Sequence, residues 1–185
     1  MAAYGKNMSN TDEIINQLIE IDVSCGESAV SAEILILGGA ALAILLEQYD
    51  SSFRSTKDID IEILSTPNRE IFESILRRYE VDIISGIVEV PPQEDFSVGE
   101  KFEVNKEGFK NLKVFVPKIE LLACTKIFSK RGKDLQDLTE TDLLIHCDKD
   151  TLRKLVDEYK DYTLMLGSPD LNYHQFDRIL EEKGI

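Results

Sequence analysis

The sequence predicts an α+β fold, a small mixed sheet with helices packed on it and a helical C-terminal region. Three observations predict it. Apolar runs of strand length, at 34–37, 59–64, 81–90 and 112–116, alternate with helical patterns through the first 116 residues. After Pro117 the pattern becomes helical and stays so. The 185 residues are 43% hydrophobic, enough for one sizeable core. The expected division is an α/β core over 1–116 and a helical region packed on it over 117–185.

Taken in order, Thr11-Asp12-Glu13 opens a helix with apolar positions Ile14, Ile15, Leu18, Ile19 and Val23. Residues 24–31 read as a loop. Ile34 to Leu37 is a strand that ends in Gly38-Gly39, and a helical pattern runs from Ala40 to about Gln48. Ile59 to Leu64 is a second strand. Thr66-Pro67-Asn68 stops it and starts a helix over Arg69 to Arg78. Val81 to Val90 reads as a strand closed by Pro91-Pro92. The charged stretch 93–110 is a loop or weak hairpin, and Leu112 to Val116 is a strand. Helices are expected at about 118–130, 134–146, 150–165 and 170–183.

Charge narrows the function. A net −14 opposes passive binding to nucleic acid. Yet residues 101–133 hold nine Lys/Arg against three Glu, a net +6, while the rest of the chain carries −20. This segment is either a polyphosphate or nucleic-acid contact surface or a solvated face. No apolar run reaches the length of a membrane span, so no membrane partner is expected. The N-terminus MAAYGKNMSNTDE has no apolar signal core, and a cytoplasmic location is expected. Cys25, Cys124 and Cys147 share no C-x-x-C spacing and read as reduced thiols rather than metal ligands.

The chemistry centres on ILILGGAALAILLEQYDSSFRSTKDIDIEIL. Residues i and i+2 of a strand share a face, so Asp58 and Asp60 stand side by side while Ile59, Ile61 and Ile63 face a core. Two hard oxygen ligands beside glycine amides suit a Mg²⁺–nucleotide site. The glycines let phosphate oxygens approach the backbone, and the following helix offers free N–H groups and a positive dipole end. Ser55 and Thr56, just before the acids, join Gly38 and Gly39 as candidate nucleotide contacts. A third carboxylate is Asp82, with Glu89 as its competitor. A second Asp-x-Asp, Asp148-Lys149-Asp150, precedes a helical pattern and reads as a cap. Lys126 and Lys130, i and i+4 on one helix face, are candidate triphosphate contacts, with Lys130 or Arg131 nearer the cleft mouth. Asp134 and Asp137 open the next helix, where they cap and pair with Lys130 or Arg131.

The strings GGAALAILL, RSTKDIDI, VDIISGIVEVP and PKIELLACTKIFSKRGKDLQDL, spread over about residues 30–140, resemble the minimal nucleotidyltransferases of the DNA polymerase β superfamily. The resemblance runs in particular to the branch of abortive-infection E toxins. It implies Mg²⁺-dependent transfer of a nucleoside monophosphate from an NTP to a hydroxyl, with release of pyrophosphate. The acceptor would be an RNA, a protein or a small molecule, and an antitoxin would be a partner. Carried over, Gly38 and Gly39 hold the triphosphate, Asp58, Asp60 and Asp82 bind metal and are catalytic, and Lys126 touches phosphate. The branch's Lys…(R/K)D-x-x-D pattern falls on Lys126, Lys133, Asp134 and Asp137. Ala40 stands where many relatives place Ser or Thr. The other reading of the same residues is a non-catalytic protein that keeps the fold and binds a nucleotide or a partner.

Overall fold

A computed structural model of the chain describes residues 10–51, 53, 56, 58–84, 90–96, 99–104, 107–163 and 166–185. Helix α1 (Asn10–Glu27) is followed by strand β1 (Ala32–Leu37), helix α2 (Gly38–Glu47), strand β2 (Asp60–Ser65), helix α3 (Arg69–Arg78) and strand β3 (Asp82–Ile83). A 3-10 turn at Gln93–Phe96 leads to β4 (Lys101–Glu103) and β5 (Leu112–Pro117). The remainder is helical: α4 (Ile119–Ile127), α5 (Gly132–Glu140), α6 (Lys149–Tyr159), a 3-10 turn at Asn172–Gln175 and α7 (Phe176–Lys183). The α+β class and the helical C-terminal region are as expected from the sequence. None of the described helices is long and apolar enough to cross a membrane.

The described strands form one mixed sheet in the order β3-β2-β1-β5-β4. β1 runs antiparallel to β2 and parallel to β5, β2 is parallel to β3, and β4 and β5 form an antiparallel hairpin. In this register Leu37 faces Asp60, and Asp60 faces Asp82. The end of β1 and the starts of β2 and β3 therefore share one edge of the sheet. The candidate site is built there.

The core sits behind that edge. Ile59, Ile61 and Ile63 are buried as the alternation requires. Residues 40–46 of α2 are all buried, which makes it a central helix with no solvent face. It packs on β1, β2 and β5 and against α1 and α4, and α4 in turn carries α5 and α6. One buried acid ties the periphery to the sheet. Asp22 of α1 accepts hydrogen bonds from the backbone N–H groups of Lys110, Asn111 and Leu112 at 2.7–2.9 Å and from the Asn111 side chain.

Several boundaries differ from the sequence expectation, each for a local reason. α1 continues through residues 24–27, where a loop was expected. Ser24 is buried there and its hydroxyl bonds Tyr79 Oη at 2.7 Å. Val23 is exposed, and Ile21, Asp22, Ser24 and Cys25 are the buried residues of that turn instead. The helix expected over 134–146 ends at Glu140, where the Thr141 hydroxyl donates to the Asp137 carbonyl at 2.6 Å and draws the chain out of the helix. β3 covers only the start of the run expected at 81–90, and residues 85–89 lie outside the described ones. Asp148 does cap α6, accepting from Thr151 N–H at 2.8 Å, as its place before a helical pattern suggested. The three thiols are free and buried, and burial pushes Cys25 up to about 11.

Candidate functional site

Gly38 turns the chain from β1 into α2 with φ +62°, in the left-handed region where side chains are disfavoured. A Cβ at this position would collide with Asp60 Oδ2. The missing side chain is thus the space into which the Asp60 carboxylate fits. At Gly39 a Cβ would lie 3.1 Å from Thr56 Oγ1, tighter than an ordinary contact. Leu37, at the N-cap, makes no side-chain capping bond, so the first-turn amides of α2 have no side-chain cap. Gly38, Gly39, Thr56 and Asp60 therefore meet at one point, and Thr56 Oγ1 also donates to the Asp58 carbonyl at 3.4 Å.

Asp60 is half-buried, while Asp58 and Asp82 are exposed. Burial raises the Asp60 pKa. The Arg131 guanidinium opposes that rise, and the neighbouring charges of Asp82, Asp58 and Asp134 add to it. The Asp58 carboxylate has its own counter-ion in Lys133, at 3.7 Å. These are hard oxygen donors whose mutual repulsion a divalent cation would relieve. Among the described residues, however, no three His, Cys, Asp or Glu side chains are spaced to hold a metal ion. The three aspartates share one sheet edge and one electrostatic field without forming a closed cage. The donor set fits an open site, of the kind Mg²⁺ occupies when substrate phosphates complete its shell.

Lys126 differs most from its expected place. It is 1% exposed, and its ammonium lies 2.7 Å from Asp137 Oδ2 and 3.3 Å from Asp134 Oδ1. It faces the interior between α4 and α5 rather than a cleft. Asp134 and Asp137 are buried with it and are not simple surface caps, although Asp134 does pair with Arg131 at 2.7 Å as expected. Burial alone would raise the Asp134 pKa. Lys126 and the hydrogen bonds from Ser129 and Arg131 outweigh it and hold the carboxyl below its usual range. Lys130 is exposed.

The basic segment is not one wall. Lys113 pairs with Glu33 across the sheet, Lys118 pairs with Glu100, and Lys101 donates to the Phe96 carbonyl and covers the Phe115 ring. Among the described residues, Lys133 pairs with Asp58 and the charge of Arg131 acts on Asp60. Ser55, Glu89, Arg54, Lys57 and Lys106 lie outside the described residues.

Two residues escaped the sequence reading. β2 begins at Asp60, so Asp58 lies just before the strand rather than on it; Glu62 continues the Asp60 face of β2 and is 8% exposed, with its pKa raised by burial and by Glu94. The alternation D-I-D-I-E contains that signal. Asn172, 46 residues beyond Lys126, bonds the α4–α5 corner, and nothing local in the sequence marks it.

A family model described as "Nucleotidyltransferase of unknown function (DUF6036)" matches residues 10–182. No curated protein and no solved structure matches the chain.

Proposed function

Because the chain belongs to this family of nucleotidyltransferases, we propose that it transfers a nucleoside monophosphate from an NTP to a hydroxyl acceptor with Mg²⁺. The observation that carries this reading is the meeting of Gly38-Gly39 with Asp60 and Asp82 at one sheet edge, in register across β1, β2 and β3. The triphosphate lies along the glycine turn and the first amides of α2, where backbone donors and the helix dipole favour anions. Arg131 and Lys133 balance charge on its open side, and Lys130 stands nearer solvent. Asp60, with Asp58 and Asp82, would hold Mg²⁺, which when bound neutralises phosphate charge and polarises the transferring group. The acceptor oxygen bonds to the α-phosphorus as the bond from that phosphorus to the pyrophosphate oxygen breaks. Pyrophosphate leaves, and the hydroxyl proton passes to a carboxylate of the cluster. Lys126 acts at one remove, by holding α5 and Asp134 behind Arg131.

Two tests separate the alternatives. Calorimetric titration of each NTP with and without Mg²⁺ should show metal-dependent binding that Asp60→Asn weakens strongly. Incubation with α-labelled NTP and cell extract should then label an RNA, protein or small-molecule fraction. Binding without any labelled product would favour the non-catalytic reading, for which the lack of a three-carboxylate cage among the described residues speaks. The toxin role implied by the resemblance predicts growth arrest on expression, relieved by Asp60→Asn.

A further inference from the structure

The α4–α5 corner, residues 126–134, carries Arg131 and is held from two sides. From within, the Lys126 ammonium bridges Asp134 and Asp137. Within the turn, the Ser129 hydroxyl donates to Asp134 Oδ2 at 2.7 Å and accepts the Arg131 N–H at 3.0 Å, while Arg131 Nε donates to the same Asp134 Oδ2 at 2.7 Å. From outside comes Asn172, which is 3% exposed. Its side-chain Nδ2 donates to the Lys126 carbonyl at 3.0 Å and its backbone N–H to the Ser129 carbonyl at 2.9 Å. The last carbonyls of a helix have no partner inside it and must find one elsewhere. The Lys126 carbonyl accepts a long bond from the Ser129 N–H at 3.3 Å, and a residue from the far C-terminal turn supplies the shorter one. The next residue, Tyr173, stacks on Phe128 with ring centroids 5.5 Å apart, so the turn docks on the corner by packing as well.

We propose that Asn172 is a positioning residue for Arg131: it fixes the α4–α5 corner from the C-terminal side and thereby sets where the guanidinium stands at the mouth of the aspartate edge. The reasoning is geometric. The Arg131 side chain is 68% exposed, and Asp134 anchors it. The position of that anchor depends on the corner's backbone, and Asn172 holds two carbonyls of that backbone. Loss of the amide takes the shorter of two donors from the Lys126 carbonyl and leaves it only the Ser129 N–H at 3.3 Å, and the corner relaxes. The consequence for nucleotide binding rests on the nucleotidyltransferase reading. The consequence for Arg131 does not.

The test uses the full chain and two variants, Asn172→Ala and Asn172→Asp. The aspartate keeps the volume and the backbone bond but removes the donor. The first readout needs no nucleotide. In ¹⁵N spectra the Arg131 Nε–H, bonded to Asp134, should exchange slowly in the parent and at least several times faster in both variants. The second readout is Mg²⁺–NTP affinity. It should fall by about five- to tenfold, the worth of one hydrogen bond, and this loss should vanish in an Arg131→Ala background while the loss of Tm persists. An unchanged Arg131 Nε–H signal in a variant with lowered Tm would overturn the proposal, since Asn172 would then only stabilise the fold. If the parent binds no NTP, the nucleotidyltransferase reading falls, and the Arg131 signal alone still decides the role of Asn172.

Discussion

Aspartates occur in this molecule in two opposite conditions. At the sheet edge Asp60 is half-buried among other carboxylates and its pKa is raised. In the α4–α5 corner Asp134 is more deeply buried, yet its pKa is lowered, because Lys126, Ser129 and Arg131 surround it with donors. Burial penalises both charges, and the partners decide the outcome. The corner is satisfied and serves the fold. The edge keeps a repulsion that Arg131 and Lys133 offset only in part, the condition a cation or a polyphosphate–cation complex can exploit. One residue type at two places thus separates structure from function more clearly than exposure does.

Replacing Lys126 by Ala should break the comparison most severely. It would take the shared ammonium from two buried carboxylates, of which Asp134 keeps Arg131, at a cost of about 3–5 kcal/mol in urea unfolding. The sign for Asp134 follows from its lowered pKa. Its stabilisation is present above the unfolded-state value and is lost as pH falls through the folded one, so the parent should lose this contribution in acid while the variant has already lost the share that Lys126 supplies. A variant of near-parental stability that had lost NTP affinity would put Lys126 back in the cleft. Gly38→Ala is next. The left-handed backbone costs about 1–2 kcal/mol, and the new methyl displaces the Asp60 carboxylate, so nucleotide binding should disappear although the fold survives. Retained binding would mean that the glycine turn does not shape the site.

The two Asp-x-Asp copies sharpen the contrast further. Asp148→Ala should lower Tm slightly by removing the α6 cap and leave NTP affinity untouched. A change in affinity would show that the second copy is not merely a cap. Asp60→Asn is expected to have the smallest effect on stability, and in the opposite direction. A raised acid pKa means that the folded state binds more protons, so stability falls as pH rises from the unfolded-state pKa through the folded one. Without metal, the amide should therefore raise Tm above that range and change nothing well below it. A lower Tm at neutral pH would mean that the Asp60 carboxylate is held by favourable contacts.

Local pattern made the sheet and its chemistry legible. Ile59, Ile61 and Ile63 alternate with Asp58 and Asp60, and Gly38-Gly39 ends an apolar strand, so both motifs could be placed on elements before their contacts were known. The corner was harder to read. Helix periodicity puts Lys126 beside Lys130 but says nothing of the next helix folding back to enclose one ammonium and not the other. Asn172 was beyond such reasoning, because its role arises from a carbonyl 46 residues away. The continuation of α1 past Ser24 was masked for a similar reason, since its partner Tyr79 lies 55 residues on.

Asp22 bears on how the chain reaches this fold. Its carboxylate gathers three amides that lie 88–90 residues later, at the entrance to β5. β1 likewise pairs with β5 across most of the first half of the chain. During synthesis the N-terminal helix and the antiparallel pair β1 and β2 emerge long before those partners, and the acid stays hydrated until they arrive. Non-local closures of this kind slow folding, because chain entropy is lost before contacts compensate for it. A growing chain that stops before residue 112 has a central strand with one open side, which places the commitment to the native state late in translation, at the docking of β5.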